Sequence, residues 1–590
     1  MSLGAQAHKI LSGSAGLLLL IALVIFCVWP GMHAPLFSDD IYQMRKSANF
    51  DSWKEIFGPD VFLYYRPAKN ALFMLAAPLE KNLLGWHMIG LLSYLAAVIG
   101  VFRITSICFE SRVTALLATS LWALSPSCVS TSVWLSCANI SLGVAFASLV
   151  FHFHEKWMTR NSAASLIASG FFYAVSLHCY ESMIVIPALL FIRDIQQRRI
   201  SFNRKAYITY GSYTIIALVF LVIRSQVSAK SIGGSAINLG FEDGLRPIQL
   251  SLSAPWFLWR HFLMWIYPFN TLEILGGYSW LRSAPASSLA FGWFFLVALL
   301  TSAFATRKRY PLVCYGILFF FVASIPSGNF IPCFNGPIYD VYLTLPSIGL
   351  AILCAAACES MFHARSKLQS QRKAGSNILT AILCIFLLYR MPLCGAYFRY
   401  WANVWSRPAE MMLIITESRP FQYQPKAIAS LLLFSDGYID LAETLAKQVI
   451  DEDPMNAMGR LSLARIAKQK NDDKTAESYY RSILSRSNTL SNIRNSSMVE
   501  LGTILAADPS RAAEAIDLLR VYLRNRVNVN NIAAIMKLSN LYEISGSFEM
   551  AKATLERGLA YNPNENQLKS KLAELTKKNT DPQQLPPEPP

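Results

Sequence analysis

The sequence predicts an all-α protein in two parts: a polytopic bundle of about eleven transmembrane helices, then an α-solenoid of paired amphipathic helices. Three observations predict it. Only 15% of the 590 residues are charged and 53% are hydrophobic, whereas a soluble chain carries about 25% charged residues. The deficit is confined to residues 1–398, a succession of apolar runs, while residues 399–578 read as an ordinary soluble domain. In that later stretch small residues recur at the period of a helix pair. Residues 579–590, which include "TDPQQLPPEPP", form a proline-rich tail, and such composition predicts disorder.

A bilayer-spanning helix needs roughly 20 apolar residues, and fewer where its neighbours shield it. The candidate spans are Ile10–Val28, Trp86–Ile104, Val113–Ser127, Ser132–His152, Ser162–Leu177, Ser182–Arg193, Ala206–Ile223, Ser288–Ala305, Pro311–Ile325, Tyr342–Phe362 and Ile378–Phe398. The fifth and sixth are short. The first is too long for a signal-peptide core and lacks a cleavage site, so it reads as a retained span. Trp256–Phe269 is apolar and aromatic but is followed by another wet segment, which suits an interfacial or re-entrant helix.

A net charge of +16 would suit nucleic acid, but its placement excludes that partner. The basic residues cluster in short loops: Arg103 and Arg112; Lys156 and Arg160; Arg193, Arg198, Arg199, Arg204 and Lys205; Arg307 to Arg309; and Arg365 to Lys373. With eleven spans all of these fall on one face, the cytoplasmic one by the positive-inside rule. The opposite face then receives the loops at 29–86, 224–287 and 326–340 together with the C-terminal domain. All 11 cysteines precede Arg399, at no metal-ligand spacing, and read as buried, idle thiols.

After Arg399, Ala442 in "IDLAETLAKQVIDEDP" and Ala476 in "DDKTAESYYRSIL" stand 34 residues apart (476 − 442), the tetratricopeptide period. A further unit, "LSNLYEISGSFEMAKATLERGLAYNP", places Gly546, Ala551, Leu555, Leu559 and Pro563 at that repeat's small and apolar positions. "RAAEAIDLLRVYL" reads as an irregular unit between them. Small residues let the two helices of a pair approach, and the leucines fill the stack.

Chemistry concentrates beyond the first span. "LFSDDIYQ" sets Asp39 and Asp40 side by side, and "YYRPAKN" adds Arg66 and Lys69. Carboxylates at a membrane edge can hold a divalent cation such as Mg or Mn, or take a proton from an attacking hydroxyl. An arginine grips a phosphate with two parallel hydrogen bonds. The plainer alternative is that these charges mark a solvated loop. Glu181, Arg260, His261 and Asp340 are ionisable groups within apolar surroundings, which are costly there and often functional, though each also suits an internal pair or a headgroup anchor. No Ser/His/Asp arrangement, glycine-rich phosphate loop or zinc motif is present.

The order of these pieces resembles the GT-C superfamily of membrane glycosyltransferases, in particular its protein O-mannosyltransferase-like members with tetratricopeptide repeats. The likeness runs through "SDD" after the first span, Tyr65–Arg66–Pro67, Trp86–His87, Tyr180–Glu181 with Pro187, Arg260–His261 with Tyr267–Asn270, and "DVYLTLPSIG" from Asp340 to Gly349, which is similar to the family's "DRYLYLPSIG". It covers about residues 36–410, and the repeats extend it. The chain departs where the family's "ALHPVHVEAVAWISGRKD" is replaced by "ALSPSCVSTSVWLSCANI", putting Ser125, Cys128, Ser130, Ala138 and Ile140 at the family's polar positions, and Val341 replaces the arginine of "DRY".

The resemblance implies an inverting transfer of a sugar from a polyprenyl-phosphate carrier to an acceptor outside the cytoplasm. Asp39 or Asp40 would activate the acceptor hydroxyl or hold the metal; Arg66 and Arg260 would grip the donor phosphate. Glu181, His87, His261, Asp340 and Tyr342 would support the site. The repeats would offer a groove for a protein or peptide acceptor, such as a pilin or other surface protein. The compartment implied is a bacterial inner membrane with the repeats in the periplasm, or else an endoplasmic reticulum membrane with a lumenal C-terminus. Two rivals stand beside this reading: an enzyme acting on a lipid-linked glycan, and a non-enzymatic assembly factor recruiting partners through its repeats.

Overall fold

A helix that is apolar on every face must rest against other protein or against a lipid-like solvent. Such helices lie in the first of two compact units, Met1–Ser418; the second is Arg419–Pro590. The structure, a computed structural model, describes residues 14–580 except 37–38, 49, 51, 61–63, 80–81, 200–203, 229–246, 268–285, 331–339, 368–372, 419–422, 487–488, 490, 525–530 and 563–564. Among the described residues all regular structure is helical. Residues 581–590, where most of the expected disordered tail falls, lie outside the described set.

Five helices of the first unit are long and apolar enough to cross a membrane: Ser14–His33, Leu83–Cys108, Leu135–Arg160, Arg204–Val227 and Ala286–Thr306. A sixth is added if Arg112–Ala123 and Pro126–Val133, bent by 64° at their junction, count as one span. Of the expected eleven spans, these five or six meet that length and apolarity among the described residues, and the reasons are local. Three expected spans are shorter helices, Ala163–Cys179, Pro311–Ser324 and Pro346–Met361. The span expected at Ser182–Arg193 is divided into a 3-10 turn, Glu181–Val185, and the helix Ile186–Gln196, which has Pro187 in its first turn. The last lies within Lys373–Val404, where side chains 373–388 are outside the described residues. Trp256–Phe269 corresponds to the helix Pro247–Ile266, with Pro255 inside it, while Pro268–Asn270 are outside the described set.

Helix Leu135–Arg160 is the most enclosed of the five, with 72% of its apolar window buried. It packs against Leu83–Cys108 on one side and Ala163–Cys179 on the other. Helices Pro311–Ser324 and Pro346–Lys367 cross at two glycines. A Cβ on Gly316 would stand 2.6 Å from the Leu353 nitrogen, and one on Gly349 would stand 2.5 Å from the Phe320 nitrogen. Close backbone approach through small residues is how apolar helices pack where no hydrophobic drive separates them from their solvent. Elsewhere large apolar side chains face outward: Ile215 at 63% and Val222 at 56% on one helix, Phe294 at 67% and Phe304 at 64% on another.

In the second unit the pairs are Tyr423–Ser435 with Ile439–Glu452, Ala457–Gln469 with Asp473–Leu484, Ser491–Leu505 with Ala512–Leu523, and Ile532–Ile544 with Phe548–Tyr561, followed by Asn566–Thr580. Each pair packs on the next, as a tetratricopeptide-like solenoid requires. The pairs start 34 (457 − 423), 34 (491 − 457) and 41 (532 − 491) residues apart, so the irregular unit is the third. Ala442, Ala476, Ala515 and Ala551, one in each second helix, are all fully buried. Gly437 and Gly546 take positive φ (87° and 73°) at the turn inside their pairs, and Asn471 does so at the equivalent turn (62°). Asn456, Asp472 and Asn531 cap helix starts by accepting backbone N–H bonds of 3.0–3.1 Å.

The glycine crossing makes a prediction. Gly316→Val forces the two helices apart and costs about 1–3 kcal/mol, whereas Gly211→Ala, whose added Cβ meets nothing within 4 Å, leaves stability unchanged. Thermal melts of the full chain in detergent check the contrast.

Candidate functional site

The helical ladder breaks repeatedly between Leu124 and Ala138. Pro126 opens a 3-10 turn, Pro126–Cys128; a five-residue helix, Val129–Val133, follows; then Trp134, extended at φ −84° and ψ 110°, starts a second 3-10 turn, Leu135–Cys137. Breaks free backbone N–H groups that a buried segment must satisfy otherwise. One is met by Asp40, which is 2% exposed: its Oδ1 accepts from the Ser136 N–H at 2.7 Å. Asp40 lies on the short helix Asp39–Ala48, and Asp39 opens that helix, its side chain outside the described residues. Gln43 anchors the same helix by donating to Asn70 Oδ1 at 2.8 Å, and Asn70 donates to the Ile56 and Gly58 carbonyls at 3.0 Å. Lys69, 3.7 Å from Asp60, forms a buried ion pair beside it.

Arg66 caps the helix Pro67–Ala76, and Pro67 sets its start. Its guanidinium meets Glu181 fork to fork: Nε donates to Oε2 at 2.9 Å and Nη2 to Oε1 at 2.7 Å. The Tyr64 and Tyr180 rings lie 4.5 and 5.2 Å from the guanidinium carbon. Burial alone would raise the Glu181 carboxyl, but the Arg66 charge and hydrogen bonds, aided by Arg224, hold it at about 2. Burial opposes the Arg66 charge too, and Glu181 outweighs it, pushing Arg66 above its ordinary value. Asn139 donates to the Cys179 carbonyl at 2.7 Å, which binds the stretch leading to Glu181 to the segment that holds Asp40.

Asp340 occupies the other side of the broken segment. It is 1% exposed, accepts from the Ser130 hydroxyl at Oδ2, and accepts from the Val341 N–H at Oδ1, 2.9 Å away. Burial lifts its carboxyl to about 7 although both bonds pull downward. Two acidic groups, Asp40 and Asp340, are therefore held by serines of one segment.

The site residues expected from sequence divide into clusters. Arg66 and Glu181 are joined, and Asp40 is tied to them through residues 136–139. Asp340 and Tyr342 share the 3-10 turn Asp340–Leu343. Arg260 stands over Trp256 at 5.8 Å, one residue from the buried His261. His87 Nε2 pairs with the Ala34 carbonyl at 2.7 Å, so it pins the turn after the first helix. Among the described residues no three His, Cys, Asp or Glu side chains converge to hold a metal ion. Ser130, Ser136, Asn139 and Arg224 were not foreseen as site residues; a proline followed by a run of serines inside an apolar stretch was the signal for the first two.

A second polar cluster lies at the far end of helix Ala138–Arg160. His154 Nε2 pairs with Asp194 at 2.9 Å, the Tyr210 hydroxyl donates to Asp194 at 2.6 Å, and Arg199 binds Glu155 with two bonds of 2.7 and 2.8 Å. Arg193 donates to the Ile107 carbonyl at 2.6 Å, and Lys205 to the Met158 carbonyl at 3.0 Å. Fifteen helical residues separate Asn139 from His154, a rise of about 22 Å.

No protein family matches this chain, and no curated protein matches it. Among solved structures, the P58(IPK) TPR domain is similar over 73% of this chain and 99% of its own, at 12% identity and a TM-score of 0.21. Yeast Tom70 is similar over 82% and 97%, at 12% identity and a TM-score of 0.26. The APC/C hetero-tetramer Cut9-Hcn1 is similar over 86% and 93%, at 12% identity and 0.26. Scores this low assign the chain to none of them.

Two outcomes follow from the geometry. Arg66→Ala strands the Glu181 carboxylate and costs on the order of 3 kcal/mol, while the Arg66→Ala/Glu181→Ala double variant loses less than the sum of the singles; thermal or denaturant melts measure both. For Asp340, the native state binds more protons than the unfolded state between the ordinary carboxylate value of about 4 and its own value of about 7. Stability therefore falls as pH rises through that window and levels off above it. Melts of Asp340→Asn across the same range should lack this slope.

Proposed function

We propose that the chain is a membrane glycosyltransferase of the GT-C type, moving a sugar from a polyprenyl-phosphate donor to an exported protein. The observation that carries this reading is the grouping of a buried carboxylate, Asp40, with the Arg66–Glu181 pair and Arg224 around one broken-helix segment. In the proposed step Asp40 takes the proton of an acceptor hydroxyl. Its oxygen bonds to the anomeric carbon as the carbon–oxygen bond to phosphate breaks, and polyprenyl phosphate leaves with the electron pair. Arg66, Arg224 and Glu181 together carry one net positive charge, which favours the leaving phosphate.

Support for a bilayer setting comes from the outward-facing apolar side chains of Arg204–Val227 and Ala286–Thr306. The basic group around Arg193, Arg199 and Lys205 lies at the opposite end of helix Ala138–Arg160 from Asn139 and the Asp40 contact. By the positive-inside rule that arrangement supports a reading with the carboxylates outside the cytoplasm. The finer reading of eleven passes would count the shorter helices as spans shielded by their neighbours. The repeat unit then supplies the acceptor groove.

Intact-mass spectrometry of exported proteins tests the reading, comparing cells with the native chain, with Asp40→Asn and with no chain. Loss of a sugar-sized mass in both altered strains supports the transferase. An unchanged mass in both sinks the protein-acceptor reading and leaves a lipid-linked glycan as substrate. Loss only in the strain without the chain favours the assembly factor.

A further inference from the structure

Arg390 is a deeply buried charge with few partners. It sits on helix Lys373–Val404 and is 2% exposed. Buried charges are ordinarily paired with an opposite charge, because isolation in an apolar medium is costly. Among the described residues Arg390 meets no carboxylate. Its Nη1 reaches the Ile266 carbonyl at 3.4 Å and its Nη2 the Ser125 hydroxyl at 3.5 Å, both at the long limit of a hydrogen bond. Its Nε is buried with no partner. The guanidinium carbon lies 4.0 Å from the Trp265 ring centre, and the Trp265 Nε1 is likewise buried without a partner. One turn earlier on the same face of that helix, His261 is 1% exposed, and its Nε2 also lacks a partner. Three elements meet here: helix Pro247–Ile266, the turn Pro126–Cys128 and helix Lys373–Val404.

A purely structural arginine would be expected to make short bonds to the carbonyls it caps. Here a planar fork of donors stands almost uncommitted, next to an indole N–H and a ring nitrogen that can add two more bonds. Such a set matches a tetrahedral oxyanion, which accepts several hydrogen bonds and supplies the missing negative charge. We infer that Arg390, with Trp265 and His261, forms a buried site for a phosphate group, borne by an anionic lipid whose chains lie among the helices. This rests on reading the first unit as a membrane body, and not on sugar transfer. The Asp340 turn also contacts helix Pro247–Ile266, so occupation of the site bears on the segment that holds Asp340.

The test uses the purified full chain in uncharged detergent, with two probes: radiolabelled short-chain phosphatidic acid, and inorganic phosphate alone. Expected is saturable lipid binding that Arg390→Gln weakens about tenfold or more, in line with the loss of a charge-assisted hydrogen bond. Trp265→Phe, which keeps the ring and removes the N–H, weakens it about threefold and melts like the native chain. If inorganic phosphate binds with the same dependence on Arg390 and Trp265, the site stands and its anion is free phosphate. Should Arg390→Gln fail to fold, Trp265→Phe decides. No saturable binding of either probe, or binding that neither variant alters, overturns the inference, whatever the mass spectrometry of exported proteins shows.

Discussion

The first unit depends on how a broken backbone is satisfied inside an apolar body. Between Leu124 and Ala138 the chain leaves the helical ladder twice, and the buried backbone groups this frees need other partners. Asp40 takes the Ser136 N–H, the Ser130 hydroxyl meets Asp340, and the Trp122 indole donates to the Thr344 carbonyl at 2.8 Å. Each partner comes from a distant part of the sequence. The segment thereby fixes the short helix after the first span, the Glu181 turn and the Asp340 turn in one arrangement. Replacing it by a continuous helix would free both carboxylates and remove the meeting point of these elements.

The two units solve the same packing problem with opposite chemistry. In the solenoid, buried alanines allow close helix pairs, and ion pairs such as Glu477 with Arg511 and Arg481 with Glu514 join successive pairs on the wet side. Those pairs are partly exposed and add little stability each. In the first unit glycines do the work of the alanines, and its buried ion pairs, Arg66–Glu181 and Lys69–Asp60, are enclosed. Breaking one of these exposes a charge to a medium that cannot solvate it.

Legibility in the sequence followed the range of the interaction. The solenoid was readable because its signals are local: Ala442 and Ala476 at a fixed period, and Gly546 at a turn that needs positive φ. The long apolar helices were readable from composition alone. The shorter ones were less legible, because an apolar run does not reveal where a backbone breaks, and Pro126 and Pro187 interrupt runs whose hydropathy is unbroken. The acidic and basic residues stood out by type, yet their grouping did not. Arg66 and Glu181 are 115 residues apart, and nothing short of the fold shows that they meet while Arg260 stacks on Trp256. Ser130 read as the loss of a polar family residue, whereas its hydroxyl, with the Ser136 backbone N–H, holds the two acidic groups.

Arg66 shows how such grouping alters chemistry. A free arginine beside a carboxylate-bearing loop invites the role of phosphate grip. Here two of its nitrogens are committed to Glu181, so a phosphate taking the same fork would have to displace a carboxylate held near a value of 2. That exchange would leave Glu181 buried and unpaired, which is unfavourable. Arg224 lies close enough to lower Glu181 and has its Nε buried without a partner, so it offers an anion the bonds that Arg66 has already made. On the proposed reading Glu181 would act on the donor indirectly: it would fix Arg66 as a standing positive charge and leave Arg224 as the group that turns toward a phosphate.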